Sequence, residues 1–404
     1  MSGWRRTLYI MFVAQMLSAV GFSIIFPFLP LYVQSLGTNT GLSIEFWAGM
    51  VFSAQAITMM IASPFWGALA DRYGRKLMVE RAMFGGAIIL LLMAFAQSAE
   101  QLVLLRAIQG FITGTVSAAN ALVAAAAPRE RVGFAMGMIQ VALWSGVAIG
   151  PLIGGVLADA FGFGAPFIIT AVLLFLAGVL VWLGVKEEFE PLEGMANNHT
   201  SFVAEWRHVF SMPGVILTYS LRFMNGLSRS MIVPIMPLFI QALLPNQANV
   251  STITGLAVGL SSATATAGAI YLGRLGDRVG HRRVVIFCGL AAGLLYVPQV
   301  FVTAAWQVLV LQALVGVAMG GLVASPSALL ARYTDPGEEG AVYGIDNSVV
   351  AAARAIAPLA GASIAFFIGY RGAFAATAVL LFLIAALAFY RLPDVVHERE
   401  QVPV

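Results

Sequence analysis

Among the polar side chains that fall inside apolar blocks, where such groups are least expected, six could do chemistry: Arg106, Gln109, Arg222, Arg229, Arg354 and Asp346. An arginine within a lipid-spanning helix costs roughly 3 kcal/mol or more, and its usual settings are ion pairs, ligand sites and proton pathways. Arg106 and Gln109 share a helix face and can share hydrogen bonds. The competing reading of Arg106 is a charge snorkelling to the nearby interface. Arg222 and Arg229, seven residues apart, lie two turns apart on one face. Asp346 is the one carboxylate clearly within a block, which makes it the candidate proton carrier. A salt bridge to Arg222 or Arg354 is the alternative. Three arginines against one aspartate favour an anionic or zwitterionic headgroup; equally, they could hydrogen-bond carbonyls freed by Pro234 and Pro237.

Enzyme chemistry finds no footing. No nucleophile–base–acid set, glycine-rich phosphate loop or metal cluster occurs in the chain. The four histidines (His199, His208, His281, His397) are scattered through predicted loops, and Cys288 is the sole cysteine. Neither a metal nor another cofactor is expected.

The elements that carry these residues follow from composition. Of 404 residues, 60% are hydrophobic and 10% charged; a soluble domain carries roughly 25% charged residues. The apolar residues come in blocks, such as 9–33, 111–127 and 167–185, each long enough or nearly so for a span of about 20 residues. The predicted fold class is an all-α polytopic membrane protein. Its twelve transmembrane helices cover about 7–34, 45–70, 77–97, 101–126, 132–159, 165–186, 213–241, 252–275, 284–303, 305–331, 341–368 and 372–391. Pro27, Pro30, Pro151, Pro234, Pro237 and Pro358 fall inside spans, so bends are expected. Trp4-Arg5-Arg6 before an apolar run imitates a signal peptide, but the run continues to Val33 without a convincing cleavage site.

A net charge of +3 could suggest nucleic acid, but the basic residues sit in short runs between apolar blocks. Apart from the four arginines deep inside spans, every lysine and arginine but Arg371 falls in one alternating set of loops or at the span ends that border it. The positive-inside rule makes that set cytoplasmic, with both termini inside a bacterial inner membrane. Nucleic acid is not an expected partner.

The chain also repeats itself at an offset of about 207 residues. Pro27 and Pro30 with Gln34 match Pro234 and Pro237 with Gln241; the stretch from Gly67 to Arg75 matches that from Gly273 to His281; Pro151 and Gly154 match Pro358 and Gly361. The expected organisation is an N-terminal six-helix bundle over 1–186, a cytoplasmic linker over 187–212, a C-terminal six-helix bundle over 213–391 and a cytoplasmic tail over 392–404. Two like halves enclose a cleft near the midplane, and rocking one on the other exposes it alternately to each side.

With Gly67-Ala68-Leu69-Ala70-Asp71-Arg72-Tyr73-Gly74-Arg75-Lys76, the chain resembles the major facilitator superfamily, whose loop 2–3 signature has this form. Leu102, Arg106 and Gln109-Gly110 fit a second family motif, and the stretch from Gly146 to Gly155 fits a third, a mark of antiporters. Overall the chain is most similar to the twelve-helix bacterial drug:proton antiporters. The resemblance implies a conformational lock at Gly67, Asp71, Arg72, Gly74, Arg75 and Lys76, with Asp71 set against the start of span eleven. It implies proton coupling through Arg106, with Gln109 beside it; Asp346 enters as the candidate carrier only from its place within a span. The spacing of Gly146, Gly150 and Gly154, with Pro151 and Gly155, shows a close, bendable helix interface, and the resemblance makes it an antiporter feature. Because spans one and seven line the cleft in this superfamily, Gln15, Arg222 and Arg229 become candidates for the substrate cavity, and Arg354 of span eleven joins them as part of the same arginine excess. One departure stands out: spans one and four lack the deep carboxylate that many such antiporters carry. The expected function is proton-driven efflux of small lipophilic molecules by a monomer among membrane lipids. Competing expectations are a carrier or flippase for anionic or lipid-like solutes, and a non-transporting receptor or assembly protein on the same fold.

Overall fold

The computed structural model of the protein describes residues 3–187, 214–334 and 339–392, except the side chains of Ala68, Asp71, Thr115, Ser117, Arg129 and residues 339–341. The predicted linker beyond residue 187, and the tail beyond Leu392, lie outside the described residues. All regular structure among the described residues is helical. In the first half the helices are α1 (Gly3–Ile24), α2 (Leu29–Leu36), α3 (Ile44–Tyr73), α4 (Arg75–Met93), α5 (Ala99–Ile112), α6 (Thr115–Ala126), α7 (Val132–Phe161) and α8 (Gly164–Gly184). In the second half they are α9 (Val215–Met231), α10 (Met236–Leu243), α11 (Val250–Val279), α12 (His281–Gln299), α13 (Ala305–Tyr333), α14 (Glu339–Ile368) and α15 (Tyr370–Arg391).

Prolines break the traverses that begin each half at matching points. Pro27 lies between α1 and α2, and Pro234 between α9 and α10, while Pro30 and Pro237 sit in the first turns of α2 and α10. Proline has no N–H to give the preceding turn and suits a first turn for the same reason. Pro151 and Pro358 instead lie inside continuous helices. The fourth traverse is also broken, between α5 and α6 at Thr113–Gly114, a break no proline announces. One freed carbonyl finds a partner on another helix, Phe111 O accepting from Trp66 Nε1 at 2.6 Å, while Thr113 adds its Oγ1 at 2.7 Å to its backbone N–H on Gln109 O. With α1–α2, α5–α6 and α9–α10 each taken as one traverse, the described chain crosses the bundle in twelve strokes, as the spans predict. Among the described residues nine helical segments are long and apolar enough to cross a membrane, α9–α10 counting as one. The remaining traverses are α4 and α12, which open on basic residues, and the broken α5–α6.

The repeat is visible at the joints α3–α4 and α11–α12. Gly74 (φ 97°) and Gly280 (φ 96°) each end one helix and begin the next, with N–H groups bonded to Ala70 O at 3.0 Å and Gly276 O at 2.9 Å. That backbone region favours glycine, so both positions are constrained by conformation. Arg72, Arg75, Lys76, Arg278, Arg282, Arg283 and Arg332 gather at this end of the bundle, called here the basic end.

The two halves touch mainly away from the basic end. Helix α3 packs on α14 and α7 on α11. Glycines set the approach: a Cβ on Gly49 would meet Pro358 O at 2.8 Å, while Gly155 lies on Ser251 O and Gly255 on Pro151 O. Nearer the basic end the halves part. A Cβ on Gly67, Gly133, Gly137 or Gly344 would meet no atom within 4 Å. Between these levels, near the middle of both helices, side chains of α3 and α14 line an open crevice of about 410 Å³, with Ile57, Met60 and Ile356 on its walls.

Candidate transport cleft and its gates

Arg106 is buried, 2% exposed, and points into the first half rather than to an interface. Its Nε donates to Val51 O at 3.2 Å, its Nη1 to Gln109 Oε1 at 2.7 Å, and its guanidinium carbon lies 5.8 Å from the Phe52 ring centroid. Gln109 Nε2 is buried without a partner. The helix-face pairing read from the sequence is therefore present, in a pocket closed off from the cleft. Gly110 beside it lies against Gln55 O, so α5 and α3 approach closely at this level.

In the second half Arg222 and Asp346 form a two-pronged ion pair between α9 and α14. Arg222 Nε donates to Asp346 Oδ1 at 2.7 Å and Nη2 to Oδ2 at 2.5 Å. Arg222 Nη1 also donates to Ser327 Oγ of α13 at 3.0 Å, so three helices meet at one guanidinium. Of the two partners weighed for Asp346, the structure places Arg222 in contact. Tyr219 Oη donates to Val342 O at 2.8 Å one turn away, closing the same seam.

Arg229 and Arg354 differ from that pair. Each is surrounded by protein yet keeps an exposed surface, the geometry of a concave wall. Neither has a hydrogen bond or ion pair among the described residues, and the two act on each other electrostatically as like charges. Gln15 is 1% exposed with its Oε1 unpartnered, so it lies behind the cleft surface in this conformation.

The glycine stripe of α7 has two faces. Gly146, Gly150 and Gly154 pack on α1: a Cβ at Gly146 would come within 2.6 Å of Ala19 Cβ, and Gly154 lies on Ile24 O. Ser23 Oγ ties the same two helices by donating to Gly146 O at 2.9 Å. Gly155 and Pro151 turn to the other half, against α11.

The loop 2–3 residues lie at the open, basic end. The Asp71 side chain is outside the described atoms. Arg75 N and Lys76 N donate to the Glu187 carboxylate at 3.0 and 2.8 Å, which supplies an acceptor at the start of α4. Lys76 Nζ donates to Trp182 O at 3.0 Å and lies 3.5 Å from Glu80. Arg72 lies over the Tyr73 ring at 5.4 Å. These contacts are all within the first half.

At the sealed end stand groups that sequence reasoning did not single out. Asp159, at the end of α7, accepts from Ser251 N at 3.3 Å and Thr252 N at 2.7 Å. Tyr370 Oη donates to Glu45 Oε1 at 3.2 Å. Both contacts join the two halves. The position of Asp159 just beyond the glycine stripe was the only signal available, and a carboxylate at a span end is ordinarily a solvated one.

Two helical halves with matching breaks and joints, sealed at one end and parted at the other around a charged cleft, define a membrane carrier. The sequence pattern of the Major Facilitator Superfamily matches the chain twice, over residues 11–223 and 218–403. The chain belongs to that superfamily. It is 37% identical to the multidrug resistance protein MdtG of Serratia proteamaculans over 96% of this chain and 94% of that one. To MdtG of Enterobacter lignolyticus it is 36% identical, over 94% and 90%. Among solved structures, the D-xylose–proton symporter shares the fold with a TM-score of 0.79 at 14% identity, covering 97% of this chain and 99% of that one. The protein is thus a multi-pass bacterial membrane protein of a transporter family.

Proposed function

We propose that the protein exports small lipophilic molecules across the bacterial inner membrane by alternating access, driven by inward proton flow. The observation that carries this reading is the asymmetric closure: the halves join through backbone-close glycine contacts at one end and stand apart at the basic end. A carrier needs such a bistable contact, since an interface packed through rigid backbones switches rather than stretches. The naming of its relatives as multidrug resistance proteins supports export as the direction. The apolar crevice between α3 and α14 supports a lipophilic substrate, which could partition into it from the bilayer.

In this reading the basic end and both termini face the cytoplasm. Bundles spanning about 1–186 and 213–391 rock on the α3–α14 and α7–α11 seams, and the conformation described is open inward. Gly67, Asp71, Arg72, Gly74, Arg75 and Lys76 form a lock that engages when the basic end closes, with Asp71 meeting the start of α14, where a helix N-terminus favours an anion. Proton coupling runs through the two buried polar centres. Arg106 with Gln109 serves the first half, and Asp346 serves the second. Protonation of Asp346 removes its charge from Arg222 and loosens one of the ties between α9 and α14. The protein acts as a monomer among lipids.

The test is a proteoliposome with an imposed pH gradient. Proton flux that depends on an added lipophilic substrate supports antiport; a sealed, oriented preparation without flux for any lipophilic compound overturns it. A second reading has its own observation. Arg229 and Arg354 present two unpaired like charges to the cleft, which an anionic group on the solute would neutralise. Transport of amphipathic anions, abolished by Arg229→Gln, would favour that reading over neutral or cationic substrates. A receptor without transport would show ligand binding and no flux in either experiment.

A further inference from the structure

Helix α11 begins without a cap of its own. Its preceding residue, Asn249, sits in the left-handed region (φ 57°, ψ 28°) and makes no side-chain bond to the first turn. A helix N-terminus leaves several N–H groups unpaired, and a capping side chain normally approaches from an extended residue just before it. The repeat counterpart, α3, follows that pattern: Ser43 is extended and its hydroxyl accepts from Phe46 N at 3.2 Å. In α11 the missing acceptor comes from the other half. Asp159 places one carboxylate oxygen on Ser251 N at 3.3 Å and the other on Thr252 N at 2.7 Å.

We infer that Asp159 is a latch: a positioning residue that caps α11 across the seam between the halves and thereby favours the conformation closed at this end. The neighbouring contacts make the latch specific to one state. Gly155 rests on Ser251 O and Gly255 on Pro151 O, with no side chain between the backbones. Asp159 reaches the α11 turn only while those backbones touch. When the halves part here, α11 loses its cap to water and the carboxylate loses two donors. The attraction between a carboxylate and a helix N-terminus falls off within about one turn, so partial opening already loses most of it. The matching seam between α3 and α14 lacks this device, because the position equivalent to Asp159 is Phe366 and α3 is capped by its own serine. The two seams that look alike in the repeat are therefore unlike in switching. This inference rests on the alternating-access reading, but its direct measurement does not require transport.

The experiment places spin labels at Gly41→Cys and Ala248→Cys, both exposed and on opposite halves at the sealed end, in a Cys288→Ala background. Electron–electron distance distributions are recorded without substrate. Loss of a cap shifts a helix equilibrium by a factor of about 2 to 30, so Asp159→Ala is expected to raise the ratio of long to short distances by that factor. Asp159→Asn, which keeps the shape and one acceptor, should move the ratio the same way by less, and it guards against a folding defect in the alanine variant. Asp159→Glu should restore part of the short-distance population. Distributions in Asp159→Ala and Asp159→Asn that match the unsubstituted protein overturn the latch. Should the distances shift as expected while no variant or parent moves substrate, the latch stands and the transport reading fails.

Discussion

Breaking the Arg222–Asp346 pair is the sharpest perturbation available. Their side chains are 15% and 5% exposed, and the guanidinium makes both prongs to the carboxylate and a third bond to Ser327. Removing one partner of a buried pair leaves the other charge unpaired and costs about 3–5 kcal/mol. Asp346→Leu should therefore lose about that much, in a structure where Arg222 has no second carboxylate in contact among the described residues. Replacing both, as in Arg222→Met with Asp346→Leu, removes the two charges together and should recover most of the loss, because paired burial is itself barely favourable. Four proteins measured by reversible denaturation in detergent close the cycle, and the coupling between the sites should reach at least ~2 kcal/mol. Additive losses, or a single substitution costing no more than a surface change of ~0.5 kcal/mol, would refute the pair as a buried link between α9 and α14. In proteoliposomes an Asp346→Asn variant should bind substrate but lose its dependence on the pH gradient; gradient-driven transport that persists removes Asp346 from the coupling scheme.

Other expectations follow from single contacts. Gly67→Ala meets open space, so stability should hold or rise by up to ~1 kcal/mol in this conformation while transport falls; unchanged transport removes Gly67 from the lock. Gly154→Leu drives a side chain into the Ile24 backbone and should cost more than ~3 kcal/mol or abolish folded yield in a detergent melt, since no rotamer change moves a carbonyl. Gly74→Ala forces an L-residue to φ 97° and should cost about 1–2 kcal/mol in the same melt, with no effect disproving the conformational constraint. At the sealed end, backbone hydrogen bonding at the start of α5 comes first among the causes that hold the Glu100 carboxyl near about 2, with further bonds from Ser98, Thr38 and Asn39. A depressed carboxylate stabilises the fold above its unfolded pKa, and that stability is lost as pH falls toward the folded value. Melting temperatures should thus be insensitive to Glu100 from neutrality to about pH 5 and fall below it, and Glu100→Gln should flatten that acid limb.

Much of the scaffold was legible because lipid imposes a coarse rule. Apolar blocks of span length, and arginines confined to alternate loops, are decided by hydration alone. The proline-marked breaks at Pro27 and Pro234 were readable for the same local reason, since a missing N–H needs no knowledge of neighbours. The break at Thr113–Gly114 was not, because the freed carbonyl of Phe111 is satisfied by Trp66 from another helix. Arg106 and Gln109 could be paired from spacing, since both ride one helix face. Spacing could not say that Arg106 turns away from the cleft, or which arginine meets Asp346.

What the sequence determined by itself, then, is the membrane-spanning repeat, its motifs, and the set of buried polar residues available for function. Those follow from one-dimensional properties: hydropathy, proline geometry and the glycine steps of α7. Only the tertiary structure decided the partners. Arg222 with Asp346, Asp159 with the first turn of α11, and Glu45 with Tyr370 lie far apart in the chain and are joined by how two bundles lean on each other. The direction of that lean, sealed at one end and parted at the basic end, is a packing balance between two seams of small residues. No single helix carries it, because each seam is made of backbones from both halves.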